Sequence, residues 1–597
     1  MLKKSIGMAL LCMAGHAYSA DITVTTTEDI VKDDEECSLR EAIEYVNLGL
    51  DKEGYMGCGG ENSTANILLT EKKTYVLNSH LEIKASLSIK AISDVDGTLQ
   101  EDERVLGLNN AHIHMQGKDN IFRVKSTDDD SILLTLKELD LEGCGEASCA
   151  DQGGIIYNKG SLSLDYVKLY KGAAQYGGAI YSTGRFGTNS QSRFEIKNSL
   201  IEQNKAVQGG VFYAETLNYA IYQSVFKNNQ TTQNSSSNLY SVPYAEPTLV
   251  QVLSGRITNS TFLKNTGTII DLIDGLSLNN VTIVDNSANA VRLKAESTTS
   301  YLTNSIVLSN GNNDCDADST HKAILQNNLV SASCGTGQAG YANKIWTETQ
   351  VFAGLSSEGK CQSLEENKDA ILCPYLTPPN SFLGYLRPRI LLKYNAVEDS
   401  PIVNQGKSTT TTFGIVGCEA EDQRMIARLV DNSYCDRGSI EITVPTSGIL
   451  VGQNILMGDV AKFSIANKLG DSDLIPKQYC QALVGDHPKG EAWQDGCLKI
   501  VQTKTESKGK TTIDLEGNVV YTPDSSWHGA DIFEIQVITS STRFNKTKPY
   551  LAITTQIVQE PKDNFEDKTV KTSGGAFGFI SLLGLLGLVG LRRVVKG

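Results

Sequence analysis

Asn198-Ser199-Leu200-Ile201-Glu202-Gln203-Asn204 is followed by Gln223-Ser224-Val225-Phe226-Lys227-Asn228-Asn229 and by Asn259-Ser260-Thr261-Phe262-Leu263-Lys264-Asn265. Asn280-Val281-Thr282-Ile283-Val284-Asp285-Asn286 and Asn304-Ser305-Ile306-Val307-Leu308-Ser309-Asn310 continue the series. Each copy opens on a polar residue, passes through a small one and an apolar core, and closes on Asn. A single such unit is a short strand whose apolar face cannot be buried alone, whereas a stack of them buries a continuous core. The pattern therefore predicts a coil of parallel strands, one rung per repeat, in preference to a β-sandwich with evenly spaced strands. The closing Asn suits a turn and is placed to bond its counterpart one rung away. Weaker copies lie around Leu139-Asp140-Leu141 and Val167-Lys168-Leu169.

Paired glycines form a second series: Gly153-Gly154-Ile155-Ile156, Gly177-Gly178-Ala179-Ile180 and Gly209-Gly210-Val211-Phe212. Two glycines permit backbone angles that a tight corner requires. With Phe226-Lys227-Asn228-Asn229 and Phe262-Leu263-Lys264-Asn265, these resemble the Gly-Gly-Ala-Ile and Phe-x-x-Asn repeats of polymorphic outer-membrane proteins. That resemblance implies a right-handed parallel β-helix and a surface or adhesive role.

Upstream, Cys37-Ser38-Leu39-Arg40-Glu41-Ala42-Ile43 has capping-box spacing between Ser38 and Glu41, so a helix should begin there. Leu39, Ala42, Ile43 and Val46 fall on one face of it. The stretch resembles the motif of CSLREA-domain proteins and is expected to cap the open end of the coil, with Arg40 and Glu41 structural. Downstream, Ser400-Pro401-Ile402-Val403-Asn404, Asp422-Gln423-Arg424 and Cys435-Asp436-Arg437-Gly438-Ser439-Ile440-Glu441 resemble the segment that closes the coil in that family, although Asn404 and Arg437-Gly438-Ser439 depart from it. The coil is accordingly expected to run over 66–442 behind a cap at 20–65.

After Pro445 the texture changes. Tyr521-Thr522-Pro523 and Gly529-Ala530-Asp531-Ile532-Phe533, with alternation to Val537, resemble cadherin/Ig-like modules and predict a small β-sandwich over 443–560. A polar linker at 561–573 leads to a tail at 574–597. There Ser573-Gly574-Gly575 precedes an apolar run, Ala576 to Leu591, followed by Arg592, Arg593 and Lys596. The run would make roughly 24 Å of transmembrane helix with a cytoplasmic C-terminus. This set resembles the GlyGly-CTERM sorting signal cut by rhombosortase, an intramembrane protease; a permanent anchor is the alternative. At the other end, Lys3 and Lys4 precede an apolar stretch and small residues, a signal peptide over 1–19 cleaved after Ser19 or Ala20. The whole arrangement is similar to the rhombotarget A family. It implies a Gram-negative cell-surface or secreted protein, held at the inner membrane until cut, with rhombosortase and the type II secretion machinery as partners.

The 597 residues carry a formal net charge of −15 and no basic stripe, which speaks against nucleic acid as a partner. Setting aside Cys12, twelve cysteines in an exported chain suggest local disulfides: Cys37–Cys58, Cys144–Cys149, Cys315–Cys334, Cys361–Cys373, Cys418–Cys435 and Cys480–Cys497. No Cys/His set has zinc spacing. Asp94, Asp96, Gly97 and Glu103 have partial EF-hand spacing, with Ile92 in place of the first ligand, and are the calcium candidates. The acidic turn at Asp314, Asp316 and Asp318 is weaker still, and Asp128-Asp129-Asp130 reads as a solvated loop tip. A glycosidase needs two carboxylates roughly 5–9.5 Å apart, and Asp140 and Asp165 are the strand-borne candidates. The expectation is a non-catalytic surface-binding protein for a glycan or host surface, without a cofactor. The alternatives are a polysaccharide lyase or glycosidase and a calcium-dependent glycan-binding module.

Overall fold

The computed structural model describes residues 20–560 except 93–105, 127–131, 147, 184–185, 188–189, 192–193, 216–217, 243–254, 297–299, 312, 318–320, 338–339, 349, 356–360, 376–381, 408–416, 429–433, 446–448, 485–496, 503–507, 515–516, 525–526 and 528. The signal peptide, the linker and the membrane tail expected from sequence, with Ser19 and Ser573 to Lys596, lie outside the described residues. Among the described residues no helix is long and apolar enough to cross a membrane.

One rung shows how the chain coils. Phe194–Lys197 lies in an 11-stranded sheet, here sheet I; Leu200–Glu202 lies in a second 11-stranded sheet, sheet II. Lys205–Gln208 belongs to a 4-stranded sheet IV and Phe212–Ala214 to a 9-stranded sheet III. The chain then re-enters sheet I at Tyr219–Tyr222, pairing parallel with Phe194–Lys197. Successive copies stack in register, with Leu200 beside Val225 and Val225 beside Thr261. Alternate side chains point inward. Phe194, Ile196, Ile201, Phe212 and Phe226 are at most 1% exposed and share one core. Full burial of one such side chain contributes about 1.5–3 kcal/mol.

The corners explain the repeat. Asn198, Asn259, Asn280, Asn304 and Asn327 adopt left-handed backbone with φ between 48° and 58°, at the turn from sheet I to sheet II. Asn tolerates that region better than most side chains. The serine that follows bonds across rungs: the Ser224 hydroxyl accepts the Ser199 N–H at 3.1 Å, and that of Ser260 accepts the Ser224 N–H at 3.2 Å. At the far end of each sheet II strand the left-handed residue is not the closing Asn but the one before it: Gln203, Asn228, Lys264, Asp285 and Ser309. The closing Asn turns inward instead. Asn204, Asn229, Asn265, Asn286 and Asn310 form a buried amide ladder, each donating its side-chain N–H to the Oδ1 of the next at 2.7–3.0 Å. Asp314 ends it, accepting from Asn310 at 2.8 Å. In the paired glycines the first takes positive φ (Gly177, 70°), and a Cβ on the second (Gly178) would lie 2.2 Å from the Gly210 carbonyl oxygen.

A helix over Leu39–Asn47 closes the first end. Ser38 caps it, with both halves of the capping box formed by Ser38 and Glu41. Asn47 mimics a strand: its amide donates to the Glu82 carbonyl at 2.8 Å and its Oδ1 accepts the Lys84 N–H at 2.9 Å, so the edge of sheet III is not left bare. Arg40 pairs with Asp29 at 2.6 Å and donates to the His80 carbonyl, fastening the helix to the coil. The coil starts earlier than the expected residue 66, because Ala20–Thr23 pairs parallel with Ser63–Thr70 in sheet I.

The far boundary also differs from expectation. Regular rungs stop at Lys344–Ile345, the last strand of sheet II. The described residues between 346 and 442 double back over the coil. Val351, Leu372, Leu386, Leu391, Ile402 and Val403 pack on Leu263, Val284, Leu308 and Leu329, which point outward from sheet II. Residues 417–428 and 434–442 then run as a strap along the sheet I–sheet II corner. The Arg428 guanidinium reaches Asn259 Oδ1 at 2.9 Å, the Arg437 guanidinium reaches the Asn327 carbonyl at 2.8 Å, and Asn280 donates to the Asp436 carbonyl at 3.2 Å. The motif expected to end the coil therefore grips it from the side, because its buried polar groups match the bonding needs of the asparagine corners.

Beyond the strap, Ile449–Leu456, Leu551–Glu560, Gly529–Val537 and Leu498–Gln502 form one sheet. Ala461–Ser464, Asn518–Pro523 and Gly509–Ile513 form another, and the two share a core of Ala461, Leu498, Tyr521, Phe533, Ile535 and Ile553. Tyr521 donates its hydroxyl to Asp531 at 2.6 Å, which joins the two halves of the motif read from sequence. The sandwich meets the cover layer through Arg387 and Asp473 at 2.7 Å. Burial alone would raise the Asp473 carboxyl, but the charges of Arg387 and Arg389 outweigh it and hold it low. The structure joins cysteines 37 and 58, 144 and 149, 315 and 334, 361 and 373, 418 and 435, and 480 and 497.

Candidate binding surface on the second sheet

Among the described residues the cover layer packs on the later rungs of sheet II and its Phe382 reaches back to Gly107 beside the earlier ones, whose outward side chains are mostly half-buried. In Leu139–Glu142 the leucines point in, so Asp140 and Glu142 point out. Register then builds two columns. His112, Asp140 and Lys168 stack in one; His114, Glu142, Tyr170, Glu202 and Lys227 stack in the other. Where the second column reaches Leu263 it becomes apolar and covered.

Glu142 is the hub. Lys171 meets its Oε1 at 2.6 Å, while His112 Nε2 and His114 Nδ1 lie 3.0 and 3.2 Å from Oε2. The His114 contact has ion-pair distance but not hydrogen-bond alignment. The Tyr170 hydroxyl donates to Glu142 at 3.2 Å and sits 2.9 Å from His112 Nε2. Glu202 is held between Lys168 at 2.8 Å and Lys227 at 3.3 Å. Burial pushes both glutamates up, yet their cationic neighbours prevail and both end below the usual carboxylate range. Asp140 goes the other way. Burial lifts its carboxyl, and the 2.7 Å bond from Asn110 does not offset that. Burial, then the Glu142 charge, raises the Tyr170 phenol. Lys168 Nζ also lies 4.5 Å from the Tyr170 ring centre. Two features flank this floor: Met425 of the strap, against the Tyr166 hydroxyl at 3.6 Å, and the loop closed by Cys144 and Cys149, where Glu146 meets Lys118 at 2.6 Å.

Sheet III carries a second decorated face. Tyr157, Tyr181, Tyr213 and Tyr240 stack with ring centres 5.6, 5.5 and 5.3 Å apart. The rings face one another along the coil, so the ladder turns edges and hydroxyls outward. Each cross-strand aromatic pair contributes roughly 0.2–1 kcal/mol, which accounts for the ladder as a stabilising element.

The two acidic residues weighed from sequence lie in different sheets. Asp140 lies in sheet II with Asn110, whereas Asp165 lies in sheet I, accepts from Asn198 at 3.0 Å and sits 3.7 Å from Lys197. Asp94, Asp96, Glu103, Asp318 and Asp128 to Asp130 fall outside the described residues. Asp314 terminates the amide ladder and Asp316 accepts from Asn289 at 3.0 Å on sheet III. Among the described residues no His, Cys, Asp and Glu set has the arrangement of a metal site. The sequence reading missed Glu142, His112, His114, Tyr170 and Lys168. Laying Leu139-Asp140-Leu141-Glu142 over Val167-Lys168-Leu169-Tyr170 in strand register would have exposed the columns. No family model, curated protein or solved structure matches this chain.

Proposed function

We propose that this chain is an exported surface-binding protein of a Gram-negative bacterium, a substrate of rhombosortase carried by the type II secretion machinery. In this reading the signal peptide is removed at Ser19 or Ala20, and the tail beyond Ser573-Gly574-Gly575 holds the chain in the inner membrane until it is cut. A right-handed coil, the sense that parallel crossovers nearly always take, then stands on a cadherin/Ig-like sandwich outside the cell. The observation that carries the reading is the set of six disulfides spread over cap, coil, strap and sandwich, which suits an oxidising compartment. The role is binding, not catalysis. The saturated Glu142 hub and the placement of Asp140 and Asp165 in different sheets support a recognition surface over a two-carboxylate glycosidase.

Treating intact cells with a membrane-impermeant amine-reactive label tests this. The protein should be labelled in wild-type cells and should lose that labelling when rhombosortase is deleted. Recovery of the protein only from the cytoplasm, with free thiols, would refute it.

A further inference from the structure

The open face of sheet II has a lopsided hydrogen-bond inventory. Its two glutamates are spent: Glu142 is met by Lys171, Tyr170, His112 and His114, and Glu202 by Lys168 and Lys227, while Asp140 is held by Asn110. The donors are not. An ammonium carries three N–H groups, and among the described residues Lys168, Lys171 and Lys227 each meet one carboxylate. A ligand for this face must therefore bring acceptors. The face is a flat strip along the coil axis, so the ligand is an extended chain. Its rungs repeat every 4.7–4.9 Å or so, close to the length of one sugar unit. The surrounding chain carries a net charge of −15, which repels a dense polyanion such as nucleic acid but tolerates one charge per sugar.

We infer that the open half of sheet II binds a carboxylated polysaccharide, with uronate groups taken by Lys168, Lys171 and Lys227 and ring hydroxyls by Tyr170 and His114. This rests on the surface-binding reading above and names its ligand class.

The test uses the exported, disulfide-bonded protein on immobilised alginate, with dextran as the uncharged control. Alginate should bind and dextran should not. The double variant Lys168→Gln/Lys227→Gln should bind alginate at least about tenfold more weakly, a loss of ~1.4 kcal/mol. Lys159→Gln, on the far side of the coil, should bind like wild type, and binding is read well below the lower melting temperature expected of the double variant, which strips Glu202 of both its cations. Equal binding by the double variant, or equal binding to dextran, would overturn the site. A labelled surface protein that ignores alginate sinks this inference and leaves the export reading standing. Alginate binding by a protein that never leaves the cytoplasm does the reverse.

Discussion

The backbone N–H and the side-chain amide of Asn229 both point at one atom, Oδ1 of Asn265, at 2.9 and 3.0 Å. Asn265 in turn donates to Asn286 Oδ1 and to the Phe226 carbonyl, each at 2.9 Å. One side chain thus satisfies two buried backbone groups of the preceding rung and hands an amide hydrogen bond on to the next. Asn265→Ala removes all of these bonds at once. Each stranded buried group costs about 1–3 kcal/mol, so a loss of about 3 kcal/mol is expected in chemical denaturation. A loss below ~1 kcal/mol would mean the ladder follows the fold and does not hold it.

Gly178→Ala places a methyl 2.2 Å from the Gly210 carbonyl, against rigid backbone. It should destabilise by about 1–3 kcal/mol. Lys159→Ala, at a half-exposed turn of the coil, should be near neutral in the same unfolding experiment.

The expected motifs were legible because they recur: Asn at a left-handed corner, Gly-Gly at a crowded one and apolar positions at period two leave a repeated mark. Ser38 and Glu41 were equally readable, since a capping box is local. The doubling back of residues 346–442 was not. It depends on outward-pointing Leu263, Val284 and Leu308, which look like their inward neighbours in a string of letters. The polar columns were hidden for a related reason. His112 and Tyr170 are 58 residues apart and meet only because Tyr170 leans back across a rung.

Acid should unsettle the open face in a defined direction. Glu142 and Glu202 are depressed in the fold, so their stabilisation is present above the unfolded-state value, ordinarily near 4.3, and is lost as pH falls through the lower folded values. Asp140 is raised, so its ionisation works against folding at neutral pH. Glu202→Gln should lower the melting temperature at pH 7 with a difference that shrinks towards pH 3. Asp140→Asn, which keeps the acceptor for Asn110, should leave it unchanged or higher at pH 7. The opposite signs in pH-resolved melting curves would contradict the assignment.

Arg428 is fully buried in the strap and answers the Glu441 carboxylate at 2.9 Å. Asp436, beside it, is pushed well up by burial and by Glu441. Arg428→Ala strands Glu441, at a cost of about 3–5 kcal/mol. Limited proteolysis should then cut within 417–442 before it touches the coil; a coil cleaved first would show that the strap is not a separate layer.

Export followed by removal of the tail is the central proposal. The direct measurement is mass spectrometry of both ends of the protein recovered from the cell surface or medium. The predicted product begins at Ala20 or Asp21 and ends at or close to Ser573-Gly574-Gly575. A surface protein that still carries Lys596 and Gly597 would contradict it.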